Sequence, residues 1–172
     1  MDFTLNEEQL EYRNVIRSFV DNEVRPVARE WELSDREPCE IIEHMKQMGL
    51  FGLTVPEKYG GIAVDAVSFA ITFEEISRGW MGICGAIGTH SLSCWMIARY
   101  GTDDQKERYL PKLATGELRT GIGLTEPEAG SDLQGVSTRA VLEGGHYVVN
   151  GTKTGSSGMD VGWITPGSPR GG

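Results

Sequence analysis

Apolar residues recur at helical spacing through the first hundred positions of the chain and give way to short alternating runs after residue 118. Leu10, Val15, Ile16, Phe19 and Val20 form one stripe on an otherwise charged segment, which is the signature of an amphipathic helix. Thr4-Leu5-Asn6-Glu7 ahead of it reads as a capping box, with the Thr4 hydroxyl accepting from the Glu7 amide and Glu7 reaching back. Pro26 kinks or ends this helix, because it has no N–H and its ring crowds the preceding turn. Val27, Ala28 and Trp31 then carry the apolar face onward. A second helix is predicted over 38–48, with Ile41, Ile42, Met45 and Met48 inward and Gly49 as its stop. Residues 49–64 read as loop. Asp65 caps a third helix carrying Val67, Phe69, Ala70, Ile71, Phe73 and Ile76, apolar around so much of its girth that a central position is expected. Residues 83–99 read as a fourth, mostly buried helix whose Gly85, Ala86 and Gly88 permit close packing. Thr102-Asp103-Asp104-Gln105 is a second capping box, opening a short helix through Lys112 with Pro111 in its last turn.

From Leu118 the pattern changes. Runs 119–125, 136–142 and 146–149 are β-branched or alternating and read as strands. Gly144-Gly145 and Asn150-Gly151 read as hairpin turns between them. The fold class is therefore α+β. An all-α domain is expected over 1–116, an antiparallel β-domain over 117–154, and a Gly/Ser/Pro-rich tail of linker composition over 155–172.

Composition narrows the functional classes. With 172 residues the chain can bury a real core. Its net charge of −9 opposes nucleic-acid binding, which needs basic surface to neutralise phosphates. No apolar run approaches the ~18 residues of a membrane span, and no signal peptide or Arg-rich transit segment is visible. Cys39, Cys84 and Cys94 lack metal-ligand spacing and read as reduced thiols of a cytoplasmic protein. His44, His90 and His146 are scattered, which argues against a metal site, and His90 reads as a hydrogen-bonded core or loop histidine.

One stretch carries chemistry of its own. Leu124-Thr125-Glu126-Pro127-Glu128-Ala129-Gly130-Ser131-Asp132 combines a proline, a flexible glycine and several hydroxyls and free amides in nine residues. Such a loop suits a flat ring with a polar edge, although a bare surface turn satisfies the same composition. The stretch resembles the L-T-E-P-x-A-G-S-D signature of the acyl-CoA dehydrogenases, flavoproteins that desaturate acyl thioesters. The likeness extends through Phe3 to Gln9, Gly49 to Leu53, Pro56 to Gly61, Tyr100 to Thr102, Arg108 to Pro111, Gly116-Glu117 and Asn150 to Lys153, covering residues 1 to about 154 in the family's order.

The resemblance implies FAD, an acyl-CoA substrate, an electron-transfer flavoprotein as acceptor and a homo-oligomer. Carried over by position, Ile122 to Ser131 form the first flavin segment. Leu124 and Thr125 lie at the pyrimidine edge, Gly130 belongs to the same cofactor loop, and Ser131 is near both flavin and acyl-CoA. Ile122 departs from the aromatic residue common there. Glu126 and Glu128 read as structural rather than as the base, in a loop braced by Pro127. Trp163 and Thr165 correspond to a second flavin segment, but Gly155 to Gly162 intervene, so that contact requires the extra residues to bulge out. The family's C-terminal four-helix domain, with its catalytic glutamate, would lie beyond residue 172. The chain is therefore expected to be a truncated dehydrogenase, inactive alone. The alternatives are a non-catalytic half-subunit or scaffold that needs a partner chain, and a related flavin oxidase or monooxygenase.

Overall fold

Asn6, and not Thr4, starts the first helix. In the computed structural model, which describes residues 4–34 and 38–154, α1 spans Glu7–Phe19. Asn6 Oδ1 accepts the Gln9 amide at 2.8 Å, and Gln9 Oε1 accepts the Asn6 amide at 3.3 Å. The capping box sits two residues later than expected because asparagine caps better than threonine and has a glutamine three residues on. Nor does Pro26 break the chain's course. It falls in the first turn of α2 (Arg25–Leu33), where no N–H is needed, after a π turn over Val20–Val24.

The remaining helices are α3 (Cys39–Gln47), α4 (Ala66–Gly79), α5 (Met81–Tyr100) and α6 (Asp103–Ala114). Asp65 Oδ1 caps α4 by accepting the Val67 and Ser68 amides, and Thr102 with Gln105 forms the expected box on α6. Gly49 follows α3 at φ 75°, a left-handed position that a side chain would strain. Phe19, Val20, Ile42, Met45, Phe51 and Ile76 are among the buried residues that join the first five helices into one core. A smaller cluster of Val55, Tyr59, Cys94, Leu110 and Leu113 seats α6.

Two helices differ from their sequence patterns. α4 is central, yet polar groups stitch its buried face: Thr72 and Glu75 are both fully buried there, while Val67 is 44% exposed. Glu75 accepts from Arg13 Nε at 2.8 Å, Arg17 Nη2 at 2.6 Å and Arg78 Nε at 3.0 Å. α5 is not mostly buried. Ile83, Cys84, Ile87, His90, Ser91 and Cys94 face inward, but Leu92, Trp95 and Met96 are each nearly half exposed. At 20 residues, α5 is by length and composition alone long and apolar enough to cross a membrane, so the expectation that no segment approaches a span does not hold. Its inward face packs against α4 and α6.

His90 is a core histidine. Its Nε2–H faces the carbonyls of Phe51 (3.2 Å) and Leu113 (3.1 Å), and its Nδ1 accepts the Thr120 amide at 3.3 Å. That pattern assigns the neutral tautomer protonated on Nε2.

The loop after α3 depends on paired glycines. Gly60 takes φ 84° at the end of the short turn Glu57–Tyr59. A Cβ at Gly61 would lie 2.0 Å from the Val55 carbonyl oxygen. Gly61→Ala is therefore expected to cost about 1–3 kcal/mol through a forced backbone shift. Urea denaturation of the variant against the unsubstituted protein measures this, and an unchanged midpoint contradicts it.

The chain divides into two compact units, Met1–Thr120 and from Gly121 onward. In the second, β1 (Arg139–Glu143) pairs antiparallel with β2 (His146–Asn150), Val141 opposite Val148. Gly144 (φ 58°) and Gly145 (φ 83°) supply the two positive angles of the expected tight turn. The other strand expectations change. Residues 119–125 form no strand and join no ladder among the described residues, and 136–138 precede the ladder. Asn150-Gly151 is not a turn: β2 ends there, and Gly151 instead lets the backbone approach Thr138. The tail over 155–172, including Trp163 and Thr165, lies outside the described residues.

Candidate functional site

Residues 124–132 fold into a tight bend. The Glu126 amide donates to the Ala129 carbonyl at 2.9 Å and the Ala129 amide returns to Glu126 at 3.1 Å, with Pro127-Glu128 at the tip. Asp132 Oδ1 then accepts the Gln134 amide at 3.0 Å and turns the chain towards β1.

The Glu126 side chain, only 4% exposed, is the hub of this unit. Its Oε2 accepts the Ser137 amide and hydroxyl, each at 2.7 Å. Its Oε1 accepts the Thr138 amide at 3.0 Å, the Thr138 hydroxyl in a very short bond, and Lys153 Nζ at 2.9 Å. The hydroxyls of Thr138 and Ser137, with the Lys153 ammonium, hold this carboxyl far below the usual carboxylate range. A carboxylate so saturated with donors stays ionised and is not free to take a proton from a substrate. The structural part expected for Glu126 is thus the one its geometry gives it.

Two further bonds set the orientation of the bend. Lys153 Nζ donates to the Leu124 carbonyl at 3.1 Å, and the Thr154 amide donates to the Thr125 carbonyl at 2.9 Å. Both carbonyls therefore point towards residues 153–154. In a trans peptide the C=O and the next N–H point opposite ways, so the Thr125 amide faces away from that segment. Neither this amide nor the Thr125 hydroxyl bonds to any of the described residues.

Leu124 and Thr125 are thus brought together with Lys153 and Thr154. Ile122 is half-buried beside them in sequence, while Leu124, Thr125, Gly130 and Ser131 are exposed. No atom lies within 4 Å of where a Gly130 Cβ would stand, so that backbone is open to a ligand. A flat ring with a polar edge fits these free donors and this bare backbone. Ser137, Thr138 and Lys153 were not legible as parts of the site. Lys153 falls in the Asn150 to Lys153 motif, which marks its position but not its partner, and nothing marks Ser137 or Thr138.

The helical unit has a separate cleft of about 350 Å³, lined by Thr54, Phe69, Phe73, Gly88, Ser91, Leu92 and Trp95. Its wall is almost wholly apolar, which suits a hydrocarbon chain. Among the described residues, no group of three or more His, Cys, Asp or Glu side chains is placed to hold a metal ion.

Comparison with known proteins follows this geometry. Residues 6–117 match the family described as "Acyl-CoA dehydrogenase, N-terminal domain". The short-chain specific acyl-CoA dehydrogenase of Clostridium acetobutylicum is 42% identical over 158 residues, covering 89% of this chain and 41% of that protein. The structure of a glutaryl-coenzyme A dehydrogenase in complex with glutaryl-CoA superposes with a TM-score of 0.84 at 36% identity, over 91% of this chain and 40% of the other. An acyl-CoA dehydrogenase of Bacillus anthracis complexed with FAD gives 0.78 at 37% identity, over 88% of this chain and 27% of the other. The chain thus spans at most about two-fifths of the length of these relatives.

Proposed function

Because the chain belongs to the acyl-CoA dehydrogenase family, we propose that it forms the helical and flavin-facing part of an FAD-dependent enzyme that introduces a double bond beside the carbonyl of an acyl-CoA thioester. The observation that carries this reading is the bend at 124–126, whose carbonyls turn inward to Lys153 and Thr154 while the Thr125 amide and hydroxyl bond to none of the described residues. FAD supplies the hydride acceptor. The protein's part is to place hydrogen-bond donors where negative charge collects on ring and thioester. Leu124 and Thr125 would hold the ring's polar edge, with Ile122 and Gly130 in the same loop and Ser131 between cofactor and substrate.

Glu126 is committed to Ser137, Thr138 and Lys153, so the base that removes the α-proton must come from elsewhere. On this ground the 172 residues alone are expected to hold FAD weakly and not to turn over. An electron-transfer flavoprotein as acceptor, a homo-oligomeric assembly and a cytoplasmic location complete the proposal.

The test uses a full-length protein that contains these residues, loaded with FAD and mixed anaerobically with saturated acyl-CoAs of C4 to C16. Bleaching of the flavin absorbance by at least one of them is the expected result. A protein that neither retains flavin nor bleaches would overturn the reading.

A further inference from the structure

Lys153 stands 27 residues after Glu126, beyond the hairpin, yet its ammonium bridges the Glu126 carboxylate and the Leu124 carbonyl. We propose that Glu126 and Lys153 are a positioning pair, which fixes the Leu124–Thr125 peptide in the one orientation that offers its amide to the flavin. The inference rests on the flavin-site reading above and assigns these two residues a part in it; neither is a catalytic residue.

Three features carry the argument. First, the bond from Lys153 Nζ to the Leu124 carbonyl acts on the very peptide whose N–H is the free donor. A peptide plane held at its C=O is held at its N–H as well. Without that bond, the plane can rotate and lose the donor while the rest of the loop stays in place. Second, Lys153 is itself held. Glu126 Oε1 accepts a hydrogen bond from its ammonium, and Ser137 and Thr138 fix the carboxylate through both oxygens. The pair is therefore preorganised by groups that are not part of the flavin-facing edge. Third, the approach is tight and glycine-dependent at two points. A Cβ at Gly123 would come within 3.3 Å of Lys153 Cγ, and one at Gly151 would come within 2.7 Å of Thr138 Cβ. The stem of Lys153 thus runs along the backbone at Gly123, and the Gly151 backbone lies against Thr138, one of the residues that hold Glu126. A bracing role for the hairpin alone explains the bonds from Ser137 and Thr138. It does not explain why the ammonium reaches past the carboxylate to Leu124.

The experiment measures FAD affinity and the visible circular dichroism of bound flavin in a full-length protein that contains these residues. Lys153→Met is expected to weaken FAD binding about 10- to 100-fold, the size of one charge-assisted hydrogen bond, and to change the flavin dichroism. Lys153→Arg, which can still bridge both acceptors, is expected to restore most of the affinity and the signal. Glu126→Gln should resemble Lys153→Met, and the double variant should be no worse than the weaker single one, because the two act as a unit. Should Lys153→Met fail to fold, Glu126→Asp keeps the charge on a shorter arm, and weaker FAD binding is again expected. A folded variant with unaltered FAD affinity and unaltered dichroism overturns the pairing while leaving the flavin site standing. If the unsubstituted protein binds no FAD, reading and pairing fail together.

Discussion

Replacing Phe51 by alanine is expected to lower the folding free energy of the helical unit by about 4 kcal/mol, within the range for emptying a fully buried aromatic site. Phe51 has no exposed surface. Its ring meets the His90 ring edge-on at 5.0 Å, and its carbonyl accepts the His90 Nε2–H. The surroundings are poorly able to close over the gap. Gly116, held at φ 72°, brings the backbone so near that a Cβ there would lie 3.0 Å from Phe51 Cγ. His90 is further pinned by Leu113 and Thr120 and cannot follow the lost ring. Phe51→Leu keeps most of the volume and should cost about 1 kcal/mol. Urea denaturation followed by far-ultraviolet dichroism gives both values. A loss below about 1 kcal/mol for the alanine variant would show that the site collapses freely and that the packing described for it is wrong.

The second large effect is electrostatic. Glu75→Gln should cost about 2–3 kcal/mol, towards the low end for breaking a buried ion pair. The low end applies because the Arg13, Arg17 and Arg78 side chains are 28%, 42% and 34% exposed and can return to water. The same residue makes stability depend on pH. The bond from Arg17, joined by those from Arg13 and Arg78, holds the Glu75 carboxyl down at about 2, against 4.5 in an ordinary setting. A group with a depressed folded value contributes fully above its unfolded value and loses that contribution as pH falls. The Glu75 contribution is thus intact above pH 4.5 and disappears between there and about 2. Burial pushes His90 below its usual 6.5, so the unfolded chain takes up that proton first and an acid-side loss begins nearer neutrality. Thermal unfolding from pH 7 to 3 should show both losses. In the Glu75→Gln protein the lower loss should be smaller but still present, because Asp21, Asp65 and Glu126 are held down as well, and a parallel decline in both proteins would refute the assignment.

Glu75 also shows where sequence reading stops. The α4 pattern announced a central helix, and the apolar positions Ile71 and Ile76 do turn inward. A glutamate in that pattern looks like a solvated face. It is buried because arginines 58 and 62 residues away in sequence converge on it, and no local period carries that information. The local signals fared well where the chemistry was local: Asp65, Thr102 and Gly49 end or start helices where their side chains, or lack of one, require it. α5 misled because its apolar residues spread around the whole helix, while only one side has helices to pack against.

The signature located the bend at 124–132, and the carboxylate of Glu126 was legible as structural from its setting. The identity of its partners was not. Ser137 and Thr138 reach it because the chain turns at 132–135, and Lys153 because the hairpin folds residues 139–150 back on themselves. Likewise, the strand expected over 119–125 has a strand's composition, but a strand also needs a neighbour to complete its ladder.

The distribution of the core bears on how the chain is made. Among the described residues, Ala129 is the only buried apolar residue that follows Ala114. During synthesis, the polypeptide would therefore hold everything its helices need to pack before the hairpin leaves the ribosome. Domains generally fold in this order, as units, from the N-terminus. The signature bend belongs to the unit that emerges after the helical one.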